Sequence, residues 1–503
     1  MDLSVIFSRA LSGIEAPLVR VETHLSNGLP AFNIVGLPET AVRESKDRVR
    51  SAIINSHFNF PDRRITVNLA PADLPKEGGR FDLPIALGIL SASGQLPQER
   101  LATHEFLGEL ALDGGIRAVP GVIAASTAAA AVKRALVTDS GSAHRAALVP
   151  HSQAIGAADL LTLCAHLNGN EPIAPAEAQA AVDTESYPDM HEVVGQAAAR
   201  RALEIAAAGS HSLLFFGPPG TGKTLLASRL PGILPPLSSA EALECLAMAD
   251  IQSVVSAHIG HCRRPFRSPH HSASPVALAG GGSRPRPGEI SLAHGGVLFL
   301  DELPEFSRHC LEMLREPMES GEITVSRARQ KVTYPARFQL IAAMNPCPCG
   351  YLGDAQTRCR CTPDQVQRYR GRISGPFLDR LDMHVPVDRL PAAQLLAPER
   401  TGESSAEIRG RVVASRQRQV QRQGCANALL SPQALREVAP LARAETAFLE
   451  SAATRLQLSG RSVYRTLRVA RSIADITGEE RVEVGHLGEA LAFRNPDQVP
   501  TAA

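Results

Sequence analysis

The stretch that decides the fold of this chain is Gly217-Pro218-Pro219-Gly220-Thr221-Gly222-Lys223-Thr224. It follows the apolar run 213–216 and precedes the run 225–230, an order that predicts a strand, a glycine-rich loop and a helix. The glycines permit main-chain angles that point successive N–H groups at phosphate oxygens, and the helix N-terminus adds a positive dipole. Lys223 would bind the β- and γ-phosphates, and the Thr224 hydroxyl would bind Mg²⁺. The stretch therefore predicts an ATP site, and the alternative is a glycine-rich turn that binds nothing.

A second apolar run, 297–300, ends in Asp301-Glu302. A short continuous apolar run is typical of a buried parallel strand, which carries its acids out at the carboxyl end. There Asp301 would hold Mg²⁺ through water, and Glu302 would orient and polarise the attacking water. A strand followed by a solvated acidic turn is the alternative, but the upstream loop favours hydrolysis of ATP.

Composition sets outer limits on the class of protein. The chain has 503 residues, of which 44% are hydrophobic and 20% charged, which is typical of a globular protein with about three domains. The net charge of +1 predicts neither a nucleic acid nor a membrane partner, so any basic surface must be local. The sequence has no signal-like start and no apolar run long enough for a membrane span, so we expect a cytoplasmic protein. In that compartment nine cysteines favour free thiols or a metal site over disulfides.

The pattern along the chain predicts five regions. An α/β or α+β domain is predicted in the first region by strand patterns at 31–35 and 64–69 and by helical patterns at 40–56, 83–93 and 121–137. A further helical pattern lies at 304–318. The regions are an N-terminal domain at 1–165, a linker at 166–190, an ATPase core at 191–390, a helical lid at 391–494 and a disordered tail at 495–503.

A basic segment at 258–286 lies between the two nucleotide motifs. Its arginines, including Arg264 and Arg267, are set among Gly, Pro and Ser, a composition that fits contact with nucleic-acid phosphates. A solvated basic loop without a ligand is one alternative. A metal site is another, formed by His258, His261, Cys262, His270 and His271.

Two further patterns follow the acidic pair. Residues 321–333 predict a β-hairpin with a basic tip that carries Arg327, Arg329 and Lys331, and the alternative role for this hairpin is a solvent-facing surface. The apolar run 338–344 then predicts a buried strand that ends at Asn345. An asparagine at that point can hold the attacking water or sense the γ-phosphate.

Four cysteines lie within fifteen residues. Cys347 and Cys349 form one pair, and Cys359 and Cys361 form a second pair after a loop of nine residues. Two close pairs of thiols predict a tetrahedral Zn²⁺ site of four thiolates, with a structural role in folding the loop. Free surface thiols are the alternative.

The order of these motifs resembles the pre-sensor-1-hairpin branch of AAA+ ATPases, and the whole chain resembles the YifB/ComM family of magnesium-chelatase-like ATPases. The resemblance implies an α/β fold: a P-loop core of parallel sheet with helices on both faces, an N-terminal Lon-protease-like α+β domain and a C-terminal helical lid. It is carried by Gly217–Thr224, Arg264-Pro265-Phe266-Arg267-Ser268-Pro269-His270-His271, Pro287-Gly288-Glu289-Ile290-Ser291-Leu292-Ala293-His294, Leu300-Asp301-Glu302-Leu303-Pro304-Glu305-Phe306 and Asn345-Pro346-Cys347-Pro348-Cys349-Gly350.

The same resemblance implies roles for residues outside the phosphate loop. Gly195-Gln196 would lie against the adenine, where an ordinary turn is the alternative. Arg380 would reach the γ-phosphate in the neighbouring subunit, where an ion pair with Asp379 or Asp382 is the alternative. Arg461 matches the sensor-2 arginine of the lid.

Two further implications concern the hairpin and the N-terminal domain. The hairpin arginines Arg327 and Arg329, with Lys331, would contact DNA in the pore of a hexamer. Where a Lon-type serine would lie the chain has Arg80-Phe81, and it has no lysine at 121–124, so peptidase chemistry is not expected.

The family implies an ATP-driven homo-hexameric motor on single-stranded and branched DNA. Its competence-associated members act as helicases that promote branch migration during natural transformation, which would place recombination proteins among the partners and the active protein at the nucleoid. One alternative is a metal-insertion motor like magnesium chelatase, although the chain lacks the Asp-x-Ser-x-Ser pattern of that activity. The other is a non-motor regulatory protein that binds partners through the Lon-like domain.

Overall fold

The computed structural model describes residues 2–36, 40–178, 187–252, 263–282, 285–327, 330–354, 356–395 and 402–494. The predicted disordered tail at 495–503 therefore lies outside the described residues, as do His258, His261, Cys262 and Arg329. The chain divides into two compact units: residues 1–183 with 239–262, and residues 184–238 with 263–503.

Both units contain strands and helices. The strands are β1 (Leu3–Arg9), β2 (Leu18–Ser26), β3 (Ala31–Val35), β4 (Arg64–Ala70), β5 (His104–Phe106), β6 (Glu109–Leu110), β7 (Ile116–Arg117), β8 (Ala135–Asp139), β9 (Ala154–Ala157), β10 (Leu213–Phe216), β11 (Phe266–Arg267), β12 (Gly280–Gly281), β13 (Arg286–Pro287), β14 (Val297–Leu300), β15 (Glu322–Arg327), β16 (Gln330–Pro335), β17 (Gln339–Met344) and β18 (Met383–Pro386). The helices are α1 (Thr40–Asn55), α2 (Asp82–Ala92), α3 (Gln98–Leu101), α4 (Val122–Ala131), α5 (Ser140–Ala146), α6 (Leu160–Asn168), α7 (Ala197–Gly209), α8 (Lys223–Ile233), α9 (Ser239–Ile251), α10 (Pro275–Ala279), α11 (Glu289–Leu292), α12 (Arg308–Met313), α13 (Arg315–Ser320), α14 (Pro363–Arg370), α15 (Gly375–Leu378), α16 (Ala392–Leu395), α17 (Ser405–Gln423), α18 (Pro432–Val438), α19 (Arg443–Arg455), α20 (Gly460–Thr477) and α21 (Val484–Ala492). No helix in the described ranges is long and apolar enough to cross a membrane.

The first unit is built on a four-stranded sheet of order β1-β2-β4-β3, in which only the β3–β4 pair is parallel. Buried and exposed side chains alternate along β2, and α2 packs against β1 and β2. A second sheet, β5-β8-β9, is parallel. The strands predicted at 31–35 and 64–69 and the helices predicted at 40–56 and 83–93 are confirmed to within two residues.

One prediction in this unit is wrong. The alanine-rich run 121–137 is not a single helix, because α4 ends at Ala131 and β8 begins at Ala135. Between them Lys133 adopts a left-handed backbone, and the residues that follow are buried between β5 and β9. Sheet pairing therefore overrides the helix propensity of alanine. The unit also continues past residue 165, since α6 ends at Asn168 and is capped by Gly169 in a left-handed conformation.

Helix α9 belongs to the first unit although its sequence lies between α8 and β11. The buried carboxylate of Asp250 accepts a hydrogen bond from the Ile123 N–H at the start of α4, at 3.2 Å. It also accepts one from Arg145 at 2.9 Å. The expected core at 191–390 is therefore interrupted by a segment that folds with residues 1–183.

The second unit contains the parallel sheet β11-β14-β17-β10-β18. Every residue of β10, β14 and β17 is buried, as expected for central parallel strands. The fold class predicted for the core, an α/β unit around a parallel sheet, is confirmed. Because these three strands are neighbours, the residues that leave their carboxyl ends converge at one edge of the sheet.

The segment after β14 differs from prediction. Instead of one helix at 304–318, a 3₁₀ turn at Leu303–Glu305 is followed by the short helices α12 and α13. Ser307 caps α12 through its side chain, and Pro317 has no N–H to continue the helical ladder back to residue 313. The hairpin predicted at 321–333 is confirmed as β15 and β16, which pair from Glu322 with Pro335 to Arg327 with Gln330.

The C-terminal part is helical, as predicted. Ser404 and Glu407 form a capping box at the start of α17, and Ser459 caps α20. Helix α20 contacts α7, α17 and α21, so the helical part shares a core with the helix that precedes β10.

Candidate nucleotide site

The phosphate loop connects β10 to α8. Gly220 and Gly222 have positive φ angles of 77° and 91°, a region that glycine enters without strain. The buried Lys223 ammonium donates to the carbonyls of Gly217 and Pro218, both at 2.8 Å. Burial lowers the pKa of Lys223 to about 8. The ammonium group of Lys223 is thus buried against backbone carbonyls of its own loop.

Residues from three strand ends meet at this loop. The Lys223 ammonium lies 3.1 Å from Oδ1 of Asn345, which follows β17. The Thr224 hydroxyl donates to Oδ2 of Asp301, which follows β14, at 2.6 Å. A hydroxyl and a carboxylate side by side are the hard oxygen donors that Mg²⁺ prefers, so these two residues fit the ion that ATP carries.

Glu302 has an unusual backbone. Its φ of 51° is in the left-handed region, which is uncommon for a residue with a side chain. Its carboxylate Oε2 lies 3.2 Å from Nδ1 of His271 in the segment after β11. The sequence predicted a role for Glu302 but none for this contact.

Gln196 connects the start of α7 to the loop. Its Nε2 donates to the Thr221 carbonyl at 3.3 Å and to the Asp388 carbonyl, beyond β18, at 2.7 Å. Gly195 also has a positive φ, and a Cβ there would lie 2.9 Å from Leu390. The Gly195-Gln196 pair therefore lies beside the phosphate loop, where its adenine role stays a prediction.

Arg380 is buried and has its own set of partners. Its guanidinium lies 2.9 Å from Glu319 and donates to the Pro376 carbonyl at 2.8 Å. The acids on either side of Arg380 have other partners. Asp379 accepts a hydrogen bond from Ser462 at 2.6 Å, and Asp382 pairs with Arg465. The alternative that Arg380 pairs with these acids is not what the structure shows.

The flanking acids tie this element to the helical lid. Burial alone would raise the pKa of Asp382, but Arg465 and His211 hold the pKa well below its usual range. Asp379 also accepts from Arg494 at 3.1 Å. Contacts of Asp379 and Asp382 with α20 and with Arg494 therefore fix the chain on both sides of Arg380.

Arg461 shares a carboxylate with Arg380. Its guanidinium lies 4.0 Å from Glu319, and its side chain is 62% exposed. Ion pairs of the described residues join both arginines to Glu319 and not to the phosphate loop. A cavity of about 430 Å³ opens beside them, lined by Glu312, Arg315, Glu316, Glu319, Ser320 and Arg380.

The four predicted cysteines come together. Their sulfur atoms all lie within 4.8 Å of one another, with Cys347 3.4 Å from Cys349 and 3.7 Å from Cys359. A tetrahedron with Zn–S bonds of about 2.3 Å has edges of about 3.8 Å, so the cluster fits a zinc ion. Backbone N–H groups of Arg360 and Tyr351 lower the pKa of the Cys349 thiol to about 6, whereas burial raises the pKa of the Cys347 thiol to about 12. The sulfur positions, not the pKa values, therefore support a metal site.

The cysteine loop packs on the phosphate loop. Gly350 has a φ of 85°, and a Cβ there would lie 2.7 Å from Cδ of Pro219. Asn345, which contacts Lys223, precedes the first cysteine by two residues. The conformation of the cysteine loop therefore bears directly on the nucleotide site, which the sequence did not indicate.

The predicted DNA contacts fall into two groups. Arg264 donates to the Pro235 and Gly295 carbonyls, both at 2.6 Å, and Arg267 binds both oxygens of Glu289. These internal partners hold the basic segment in place, and contact of the two arginines with DNA stays a prediction. On the hairpin, Lys331 is exposed on β16, whereas Arg329 and the side chain of Arg327 lie outside the described residues.

The family models that match this chain describe one protein type. They are "Magnesium chelatase, subunit ChlI" at residues 189–395, "Subunit ChlI of Mg-chelatase" at 21–140 and "Magnesium chelatase, subunit ChlI C-terminal" at 402–494.

Curated relatives match over very different lengths. The chain is 50% identical to Competence protein ComM of Haemophilus influenzae and 49% identical to YifB of Salmonella typhimurium, and each match covers at least 98% of both chains. It is 29% identical to the magnesium-chelatase 38 kDa subunit of Cereibacter sphaeroides over 31% of this chain and 51% of that protein.

Proposed function

Because the chain belongs to the YifB/ComM family of magnesium-chelatase-like AAA+ proteins, we propose that it is an ATPase whose hydrolysis drives movement along DNA. The observation that carries the ATPase assignment is the direct contact of Lys223 with Asn345 and of Thr224 with Asp301. Four residues spread over more than a hundred positions meet at one edge of a parallel sheet, each with the group that phosphate or magnesium chemistry requires.

The roles follow from chemistry and position. Backbone N–H groups of the loop and the Lys223 ammonium bind the β- and γ-phosphates. Thr224 and Asp301 would hold Mg²⁺, which neutralises charge on the phosphate oxygens. Glu302 accepts a hydrogen bond from the attacking water and orients it in line with the γ-phosphate, and Asn345 fixes the other side of that water. Gln196 orients the loop beside the adenine.

The complete site requires a second copy of the chain. Arg380 and Arg461 are held by Glu319 and not by the phosphate loop, which supports a role towards the nucleotide of a neighbouring subunit. There the two guanidiniums would stabilise the charge that builds up on the transferred phosphoryl group. The assembly proposed is the homo-hexamer, and a single copy would hydrolyse ATP slowly.

DNA is the proposed track. The β15–β16 hairpin with exposed Lys331 supports a contact with the phosphate backbone, and a relative that matches along its whole length is named for competence. The finer assignment is branch migration of recombination intermediates during natural transformation, with single-stranded and branched DNA as substrates and recombination proteins as partners. Such work would place the active protein at the nucleoid.

The metal-insertion alternative has less support. The relative named as a magnesium-chelatase subunit matches only 31% of this chain, whereas the YifB and ComM relatives match nearly all of it. No observation on the described residues supports the non-motor alternative. The N-terminal unit is proposed to bind partners or neighbouring copies without peptidase chemistry, since the buried Arg80 donates to the Pro120 carbonyl where a nucleophile would be needed.

Zinc is the proposed occupant of the cysteine cluster. The sulfur separations match the edges of a four-thiolate site, and a closed set of four ligands has no open position for catalysis. The ion would therefore fix the loop that carries Gly350 against the phosphate loop.

The test is the ATPase rate of the full chain with no DNA, with single-stranded DNA and with a branched DNA. We expect DNA to raise the rate of the wild type, and Lys223→Ala to be inactive under all three conditions. A wild-type rate that no DNA changes would contradict the motor assignment while leaving the ATPase assignment standing. Activity in Lys223→Ala would contradict both.

A further inference from the structure

We infer that His271 is a positioning residue for the water-activating carboxylate of Glu302. The inference rests on the proposed ATPase function and adds a residue that the sequence suggested only as a candidate metal ligand. His271 lies in the segment after β11, thirty-one positions before Glu302 in the sequence. Its Nδ1 lies 3.2 Å from Oε2 of Glu302.

The sheet explains why these two residues meet. Strand β11 pairs in parallel with β14, with Phe266 opposite Val297 and Arg267 opposite Leu298. His271 follows the end of β11 by four residues, and Glu302 follows the end of β14 by two. Two adjacent parallel strands therefore deliver the imidazole and the carboxylate to the same edge, which makes the contact a consequence of the fold.

The segment that carries His271 is anchored on both sides. Upstream, Arg267 binds both oxygens of Glu289, at 2.6 and 2.7 Å. Downstream, Ser274 caps α10, and the Ala273 carbonyl lies 3.7 Å from the Cys310 sulfur. The His271 ring also lies 4.1 Å from the His270 ring, centroid to centroid. The contacts of Arg267, Ala273 and Ser274 therefore fix the backbone on both sides of His271, and none of them involves Glu302.

Glu302 itself needs a partner to keep one orientation. Its side chain is 52% exposed and its backbone is in the left-handed region, which costs free energy for a residue with a Cβ. Strained residues of this kind persist where surrounding contacts hold them. An imidazole nitrogen 3.2 Å from one carboxylate oxygen reduces the rotamers open to the carboxylate and leaves its other oxygen to accept from water.

The contact with Glu302 gives a specific prediction for the role of Nδ1 of His271. Nδ1 of His271 faces the carboxylate, so the useful group is an N–H at that position. An asparagine side chain can place its amide N–H near the position of Nδ1, whereas alanine has no donor. The neighbouring His270 instead bonds to Ser272 through its Nδ1, at 2.7 Å. It is therefore a matched control for loss of an imidazole in the same segment.

The experiment compares His271→Ala, His271→Asn and His270→Ala in the full-length protein, with kcat and KM for ATP measured beside equilibrium binding of a fluorescent ATP analogue. We expect His271→Ala to lower kcat by roughly tenfold, the size of one lost charge-assisted hydrogen bond, with analogue affinity unchanged. We expect His271→Asn to recover most of the loss and His270→Ala to resemble the wild type. A purely structural defect would also weaken binding of the analogue, so a lower kcat with unchanged affinity distinguishes the positioning role from such a defect.

Two results would overturn the inference. One is a kcat for His271→Ala equal to that of His270→Ala. The other is a loss in His271→Asn as large as in His271→Ala. The variant Glu302→Gln separates this inference from the proposed function: it should bind the analogue and hydrolyse almost nothing, and adding His271→Ala to it should lower the rate no further. Normal hydrolysis by Glu302→Gln would instead remove the assigned role of Glu302.

Discussion

The phosphate loop and the Glu319 cluster differ in what one chain provides. At the phosphate loop, Lys223, Thr224, Asp301 and Asn345 already contact one another. In the Glu319 cluster, Arg380 and Arg461 approach one carboxylate, and their ion pairs do not reach the loop. One region brings the groups of the nucleotide site together within a single copy, and the other holds two arginines against a carboxylate.

This difference indicates where cooperation between subunits would enter. The binding half needs no partner, so nucleotide affinity should belong to each copy. Under the proposed function the arginine half would add charge stabilisation only when a neighbour supplies the nucleotide, so the hydrolysis rate should belong to the assembly.

The largest effect is expected from Arg380→Ala. Removal of an arginine that stabilises the transferred phosphoryl group costs roughly a thousandfold in kcat, while nucleotide affinity should stay close to that of the wild type. The measurement is steady-state kcat beside analogue binding. The exposed Arg368 on α14 offers a control, since Arg368→Ala removes a guanidinium of the same region without touching Glu319. A kcat for Arg380→Ala within tenfold of the control would contradict the comparison.

The next effect is expected from Cys359→Ser. Loss of one of four thiolates should empty the proposed zinc site and lower the Tm, because binding of the ion contributes to folding of the loop. Metal analysis and calorimetry of the purified protein measure both. Cys425→Ser, which changes a half-buried cysteine outside the cluster, should retain the metal. Undiminished zinc in Cys359→Ser would exclude this cluster as the site.

A smaller effect is expected from Gly350→Ala. The new methyl group would press on Pro219 of the phosphate loop and the left-handed backbone would be strained, together about 1–2 kcal/mol, which corresponds to roughly tenfold weaker ATP binding. Gly353→Ala is matched, because its φ is also left-handed at 81° while nothing lies within 4 Å of the new Cβ. Equal affinities in the two variants would show that contact with Pro219 does not matter.

The smallest effect is expected from Glu319→Gln. Neutralising this half-exposed carboxylate frees both arginines for a neighbour's phosphate, so kcat for ATP hydrolysis should rise by a factor of a few while nucleotide affinity stays unchanged. Steady-state kcat beside analogue binding measures whether Glu319 competes with the phosphate for the arginines. A kcat that falls would instead make Glu319 a necessary support of Arg380.

Local patterns allowed much of the nucleotide site to be predicted. The phosphate loop, the acidic pair and Asn345 each follow a buried apolar run, and strands of this kind are visible in sequence. The cysteine cluster was also visible, since its spacing is short. These features need no knowledge of distant partners.

Contacts between distant segments were not visible. Nothing near His271 or Glu319 indicates its partner, because the pairing of β11 with β14 and the position of α13 set those contacts. The acceptors of Arg264 and Arg267 were not visible either, because Gly295 and Glu289 lie more than twenty positions away in the sequence. The prediction of a single helix at 121–137 was wrong for a related reason. Alanine favours a helix in any context, and pairing in the β5-β8-β9 sheet ends the helix at Ala131.

The central claim is that each ATP is hydrolysed between two copies of the chain. It is tested most directly by assembling Lys223→Ala and Arg380→Ala subunits together and measuring the ATPase rate of the mixed assembly. The account predicts that the mixture exceeds the sum of the two separate variants, because some interfaces then pair an intact phosphate loop with an intact Arg380. A mixture that hydrolyses ATP no faster than the sum, despite confirmed co-assembly, would contradict it.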